Sequence, residues 1–473
     1  MKVYNTLKKQ KEELSPITPG KIKMYTCGQT VYNDIHVGNA RFYVVFDAIR
    51  RYLEYSDYEV EFVQNFTDID DKIIDKAREE NCDADNIASR YITHTLEDLK
   101  ALNVLPATVN PCATKEVPEI ITLIQELISK DFAYENGGTV YYNVAKFHGY
   151  GKLSGKKIDE LEAGARVEVE PGKESPMDFV LWKPAKPGEP KWDSPWGEGR
   201  PGWHIECSAM VRKYLGEEID IHGGGVDLIF PHHENEIAQS EAVTGKDLAK
   251  CWIHCGILTT DHKKMSKSRG NFHTFREVAE NHSPEIIRFY LLSGHYRMPM
   301  EFNDAVLVSA GQGLLRIKTC RANLVHALGE ASDKAISEKE SAFLSEGAAF
   351  HRAFIKAMDD DFNTADGITA IFELVKFINT RLAQEKECSR AFLAGLLDEL
   401  SELSDILGIE ITQADEPRDE NTDDSAKIEE LIDARQTARK EKNFAEADRI
   451  RDELVNMGIV LEDTPGGVRW RRA

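Results

Sequence analysis

The chain has 473 residues, 41% hydrophobic and 30% charged, which excludes a single small domain, a disulfide-stapled peptide and a globally disordered polymer. Lys and Arg number 59 against 81 Asp and Glu, a formal net charge of −22, so a polyanionic partner must be met by a local basic patch. The opening MKVYNTLKKQKEEL has lysines without an apolar stretch behind them, and no run of about eighteen uncharged apolar residues follows, which predicts a cytoplasmic protein that does not enter a membrane. Cysteines at 27, 82, 112, 207, 251, 255, 320 and 388 make no compact disulfide framework, leaving thiols for packing, metal or chemistry.

Residues 22 to about 115 alternate short apolar runs with helical periodicity, the pattern of a doubly wound, Rossmann-like parallel α/β sheet. A first strand is predicted over Ile22–Thr26, a helix from Ala40 to about Tyr55, and a second strand over Glu59–Phe66. The alternation returns at 203 to 260, with strands at Ile219–Ile221 and Trp252–Leu258 and a helix at Pro231–Val243, so one sheet is split by an insertion. That insertion, 116–202, contains a helix (Glu119–Lys130) and a hairpin signal, Asn136-Gly137-Gly138. Pro184, Pro187, Pro190, Pro195 and Pro201 then predict an irregular covering loop pinned by Trp182, Trp192 and Trp196. Beyond 283 the period is helical, with 340–407 reading as an antiparallel bundle.

Residues 410–430 are acidic and nearly free of large apolar side chains, the composition of a tether. The last forty residues place Arg435, Arg439, Lys440, Lys442, Arg449 and Arg451 on a helix and Arg469, Trp470, Arg471 and Arg472 near the end, a small basic module. The expected divisions are 1–115 and 203–260 for the two halves of the sheet domain, 116–202 for the insertion, 261–335 for a loop and stem-contact region, 336–409 for the bundle, 410–430 for the linker and 431–473 for the module.

Three constellations carry chemistry. His36-Val37-Gly38-Asn39 lies between a strand and a helix, where unpaired N–H groups and a positive helix end suit an anion and Gly38 lets a nucleotide approach; a plain capping turn would explain the same residues. Lys263-Lys264-Met265-Ser266-Lys267-Ser268-Arg269-Gly270-Asn271 follows a strand and could close on a triphosphate, its ammonium groups neutralising charge as an α-phosphate becomes five-coordinate. His232 and Glu236, four apart at a helix start, share a face, and Cys27 with Cys207 could complete a Cys₂-His-Glu tetrahedron. The other cysteines, including Cys251 and Cys255, are assigned to packing.

Together MYTCGQTVYNDIHVGNAR (24–41), NFTDIDDKI (65–73), PGWHIECSAM (201–210), DIHGGGVDLIFPHHENEIAQS (220–240) and KMSKSRGNF (264–272) closely resemble the cysteinyl-tRNA synthetases, a family of class I aminoacyl-tRNA synthetases. The carboxyl-terminal KNFAEADRIRDELVNMGIVLEDTPGGVRWRR (442–472) resembles that family's anticodon-recognition module, so the likeness covers nearly the whole chain. It departs at Asn39, where the class pattern has histidine, and at Gln29, where the family commonly has proline.

The resemblance implies activation of L-cysteine by ATP, with Mg²⁺, and transfer of the cysteinyl group to the 3′ end of a tRNA, by a monomer. It makes His36, Gly38, Asn39, Lys264 and Lys267 the ATP-handling and catalytic residues and maps Zn²⁺ onto Cys27, Cys207, His232 and Glu236, the same four as the spacing. It places Thr67, Trp203, His222 and Asp227 around the amino acid, with Asp227 facing its ammonium group. Trp470 is equally suited to stacking on an anticodon base or to anchoring a core. Two rival readings are a ligase passing cysteine to an amino sugar, which needs no anticodon module, and a zinc-containing RNA-binding protein with a retired active site.

Overall fold

In the computed structural model the described residues are 1–157, 172–260, 263–264, 273–385, 387–412, 431–439, 443–456, 459–464 and 467–472. A hairpin of β1 (Lys2–Asn5) and β2 (Gln10–Glu13) precedes β3 (Lys21–Thr26), α1 (Val37–Tyr55) and β4 (Glu59–Gln64). Helix α1 starts three residues earlier than its apolar periodicity predicts, because His36 and Asn39 form a reciprocal capping box. Helices α2 (Asp71–Glu80) and α3 (Ala84–Ala101) follow, α2 capped by Asp70 and closed by Asn81 in the left-handed region, φ 52°.

The insertion folds as α4 (Val117–Ser129) against an antiparallel sheet of β5 (Ala133–Asn136), β6 (Thr139–Tyr142), β7 (Phe179–Pro184) and β8 (Gly199–Pro201). Gly137 and Gly138, with φ of 64° and 83°, make the two-residue turn that the sequence signals. The expected irregular stretch is only partly so. Pro184 and Pro201 sit at the last positions of β7 and β8, where a missing N–H interrupts little, and Trp182 lies in β7, fully buried with its ring 6.0 Å from Trp196.

The chain then returns through α5 (Trp203–Tyr214), β9 (Ile219–Gly225), α6 (Glu234–Thr244) and β10 (Ala249–Cys255). The parallel sheet has the order β10-β9-β3-β4, buried on both faces, which explains strands that read as nearly continuous apolar runs. From β3 the chain winds outward to β4, and from β9 it winds outward to β10. The switch point therefore falls between β3 and β9, and a crevice opens beyond their carboxyl ends. The predicted single strand Trp252–Leu258 is instead two, β10 and β11 (Leu258–Thr260), parted at Gly256-Ile257. Strand β12 (Lys263–Lys264) pairs with β11, which also pairs with β13 (Met300–Glu301).

Helices α7 (Phe275–Ala279), α8 (Pro284–Leu292) and α9 (Asp304–Glu330) lead to the bundle of α10 (Glu338–Met358), α11 (Thr364–Gln384) and α12 (Arg390–Ile406), whose apolar faces join the core beneath α1. A first compact unit ends at Ile411. The second, Thr412–Ala473, contains helical residues 431–439, α13 (Phe444–Asn456) and a hairpin of β14 (Ile459–Thr464) and β15 (Gly467–Arg472). The basic run expected on one helix is interrupted at Asn443, and Trp470 lies on β15 opposite Leu461. Most of the acidic stretch, 413–430, lies outside the described residues.

Candidate active site

A cavity of about 310 Å³ opens at the switch point, lined by Cys27, Gly28 and Gln29 after β3, by the cap His36 and by Gly38, Asn39, Phe42 and Tyr43 of α1, by Trp203 of α5, by Gly225 at the end of β9 and Asp227 after it, and by Cys255–Leu258. Its narrow geometry begins at Gly28, where a Cβ would lie 1.7 Å from Asn65 O, so the chain after Cys27 passes against β4's exit with no room for a side chain. The Gly28 N–H donates to Asn65 Oδ1 at 2.8 Å. Gln29, the departure from the family's proline, donates through Nε2 to Thr95 Oγ1 at 2.7 Å, so a side-chain bond to α3 braces the loop that a rigid ring would otherwise stiffen.

At the helix end, His36 Nδ1 accepts from the Asn39 N–H at 3.1 Å, which puts the proton of the neutral ring on Nε2 as a donor. Asn39 Oδ1 accepts in return from the His36 N–H at 3.3 Å. The cap and the anion-site readings of this turn are thus compatible: one ring nitrogen caps, and the other is the donor.

The four proposed ligands converge around Cys27, which also lines the cavity. Cys27 Sγ, Cys207 Sγ, an imidazole nitrogen of His232 and a carboxylate oxygen of Glu236 all lie within 4.8 Å of one another, and every one of these residues is buried. Glu236 Oε1 is 3.1 Å from Cys27 Sγ and 3.1 Å from His232 Nε2. The approach of His232 to Glu236 does not come from a regular helix beginning at Pro231. The regular turns of α6 start at Glu234, and Ile229–His233 form a wider turn in which Phe230 is extended. A second set overlaps the first, with His222 and His233 joining Cys27 and Glu236; His222 Nε2 is 2.9 Å from Glu236 Oε2.

Burial pushes the Cys27 thiol well above its ordinary range. Cys207, hydrogen-bonded to Cys27, is pulled below its ordinary value. Although burial opposes its charge, Glu236 is held well below the usual carboxylate range by His222 and His232. Burial lowers His204 and His254 to about 3 and drives His233 well down, so these three imidazoles are neutral and available as hydrogen-bond or ligand groups. Two soft sulfur donors, an imidazole and an ionised carboxylate, dry and already gathered, suit a thiophilic divalent cation.

The remaining expectations divide. Trp203 lies 39% exposed on the cavity wall with its ring stacked 4.3 Å from His232, and Asp227 also lines the cavity. Thr67 and His222 do not line it: Thr67 is buried and its hydroxyl donates to Glu206 Oε2 at 3.1 Å, and His222 is buried against Glu236. Lys264 is placed by its backbone in β12, opposite Thr259, and Lys267 lies outside the described residues. Sequence reasoning missed Tyr32, Asp34 and Lys72 of the cavity lining and the imidazoles of His233 and His254, which lie 2.8 Å apart. Only the His232-His233 doublet offered a signal for the last pair.

The architecture is shared with solved structures. Methionyl-tRNA synthetase of Mycobacterium tuberculosis bound to methionyl-adenylate superposes with a TM-score of 0.61 at 14% identity, covering 82% of this chain and 92% of that one. The LeuRS–tRNA–LeuAMS complex of Agrobacterium radiobacter gives 0.60 at 12% identity, covering 84% and 85%. The family model described as tRNA synthetases class I (C) catalytic domain matches residues 13–312, and with that fold and switch-point cavity it makes the chain a class I aminoacyl-tRNA synthetase.

Two further models match, a DALR domain over 353–412 and a cysteinyl-tRNA ligase anticodon binding domain over 421–471. Cysteine–tRNA ligases of Lachnospira eligens and Clostridioides difficile are 53% and 51% identical, each aligned over all of this chain and all of the relative. The chain belongs to the cysteine–tRNA ligase family.

Proposed function

We propose that the enzyme joins the L-cysteine carboxylate to the ATP α-phosphorus, releasing pyrophosphate, and passes the cysteinyl group to the terminal adenosine of its tRNA, with Zn²⁺ selecting the substrate thiol and Mg²⁺ accompanying ATP. The observation that supports this reading best is the gathering of Cys207, His232 and Glu236 around Cys27, which lines the same cavity as the His36 turn. Zn²⁺ bound there would supply a soft Lewis acid that favours a thiolate over the harder, far less acidic serine hydroxyl.

The chain's own groups do the rest. Asp227 and the Trp203 ring flank the amino acid, Asp227 as the anionic partner of its ammonium group. His36 Nε2–H and the Gly38 N–H at the α1 start hold phosphate oxygens. Lys264 and Lys267 stabilise the five-coordinate phosphorus, so catalysis is positioning and charge stabilisation without a covalent enzyme intermediate. An apolar pocket discriminates close analogues by only about 10- to 200-fold, and coordination of sulfur extends that range without hydrolytic editing. The matched anticodon-binding segment at 421–471 favours tRNA over an amino sugar as acceptor. We take the active form to be a monomer and its compartment the cytoplasm; among the described residues no helix is long and apolar enough to cross a membrane.

The test is ATP–pyrophosphate exchange with cysteine and with serine, before and after chelation. Exchange confined to cysteine, lost with the metal and restored by added Zn²⁺, is expected. Equal exchange with both amino acids in metal-free protein would overturn the reading.

A further inference from the structure

Arg41, two residues beyond Asn39 on α1, is completely buried, and among the described residues no carboxylate pairs with it. A buried cation without an anion is costly, and here backbone dipoles meet the charge instead. Nη1 donates to Gly256 O at 2.9 Å and Ile257 O at 3.0 Å; Nη2 donates to His295 O at 3.2 Å, Tyr296 O at 3.3 Å and Met298 O at 2.7 Å.

These five carbonyls belong to two bends. One is Gly256-Ile257, where β10 gives way to β11, and the other, 295–298, leads into β13. The bends are knitted to each other by Gly256 N–H on Tyr296 O at 2.8 Å and Met300 N–H on Ile257 O at 3.1 Å. The contact has no slack, since a Cβ on Gly256 would lie 2.7 Å from both Arg297 O and Met298 O. Arg41 therefore seats the root of the β11–β13 sheet, from which β12 runs toward the Met-Ser-Lys segment. Beyond that segment the chain meets the His36 turn: Val37 N–H donates to His273 O at 3.1 Å and Phe275 N–H to Ile35 O at 2.8 Å.

We propose that Arg41 is a positioning residue for amino-acid activation, setting the distance between β12, which carries Lys264, and the His36 turn by fixing the root of the sheet in which β12 pairs. This rests on the reading above, in which Lys264 and Lys267 meet the phosphates. Lysine cannot reproduce the planar fork, whose two terminal nitrogens spread four N–H bonds over the five carbonyls where one ammonium has three at a single point. A displacement of about 1 Å far from the reacting atoms costs about 10²-fold in rate.

The experiment uses the full-length, zinc-loaded chain and measures exchange per active site, titrated by the first-turnover release of pyrophosphate. Arg41→Met is expected to lower kcat about 10- to 100-fold while the KM for cysteine stays within about 2-fold, and Arg41→Lys to recover part of the loss. Because Arg41 acts through the loop, adding Lys267→Ala to Arg41→Met is expected to cost far less than Lys267→Ala costs alone. Unchanged kcat per active site, with only fewer active sites or a lower Tm, would show a purely structural residue and overturn the proposal, as would fully additive losses. Should Arg41→Met not fold, Arg41→Lys and Gly256→Ala, which keeps the cation and displaces its acceptors, decide by the same kcat criterion. Full exchange by Lys267→Ala defeats the reading of the loop and the proposal with it; impaired Lys267→Ala beside unimpaired Arg41→Met defeats the proposal alone.

Discussion

Cys207 is buried and stands at one corner of the cluster of sulfur, imidazole and carboxylate groups. Replacing it with serine keeps the volume and exchanges a soft donor for a hard one. Cys207→Ser is expected to reduce bound zinc, measured by atomic absorption, to well under one equivalent and to lower cysteine-dependent exchange by about 10- to 100-fold, the range for losing a metal-site partner. Retention of a full equivalent would remove Cys207 from the ligand set. A second residue titrates away from the metal cluster. Asp98 of α3 is pushed up to about 6 by burial, which outweighs the Arg276 guanidinium whose Nε lies 2.8 Å away, and Asp34 adds to the rise. Its Oδ2 is buried without a hydrogen-bond partner. Since the folded state keeps this proton to a higher pH than the unfolded chain, the contribution to stability is full below about pH 4 and is lost as the pH rises through 6. Asp98→Asn is expected to flatten the fall in Tm across that window relative to the wild type, and parallel Tm–pH curves would refute the assignment.

At the scale of elements, the packing of α1 on the parallel sheet leaves no tolerance at Gly223 of β9, where a Cβ would meet the Phe46 ring at 2.2 Å and Thr26 Cγ2 at 3.0 Å. Gly223→Ala should therefore overpack the interface and destabilise by about 1 to 3 kcal/mol, read as a lower midpoint in urea; an unchanged midpoint would mean that the ring moves freely. The elements differ in how legible they were. Long apolar runs in β3, β4 and β9 and the three- and four-residue rhythm of α1 announced a doubly wound sheet, because each element buries its own pattern. The β7–β8 pair was hidden: prolines at strand ends look the same in a sequence as prolines in a loop, and only pairing with β6 distinguishes them. The break between β10 and β11 was equally silent, since its carbonyls are met by Arg41, more than two hundred positions earlier. For the site, Cys27, Cys207, His232 and Glu236 were legible as residue types able to bind one ion. His222 was expected around the amino acid and instead faces Glu236, and His233 and His254 were not legible, because the placement of these imidazoles depends on a wide turn that no periodicity encodes.

For the whole molecule, a net charge of −22 must coexist with a polyanionic substrate, and the chain divides into units at 1–411 and 412–473. The sheet, the cavity and the metal cluster all belong to the first unit. Truncation after Ile411 is accordingly expected to leave cysteine-dependent exchange within about 2-fold while lowering tRNA charging at least about 10-fold. It should also make the logarithm of tRNA affinity fall less steeply with salt, because phosphate contacts are lost with the basic segment. Charging at the full rate by the truncated chain would show that recognition resides in residues 1–411.

The indole of Trp203 lies in van der Waals stacking over the His232 ring while part of its surface faces water. It is thereby an optical gauge built into the protein: its emission should change when the imidazole beneath it shares electrons with a cation, and again when a side chain displaces solvent from its outer face. Titrations of emission compared with a Trp203→Phe variant, which leaves the signal of the other five tryptophans, would then report both occupancy events with no label attached.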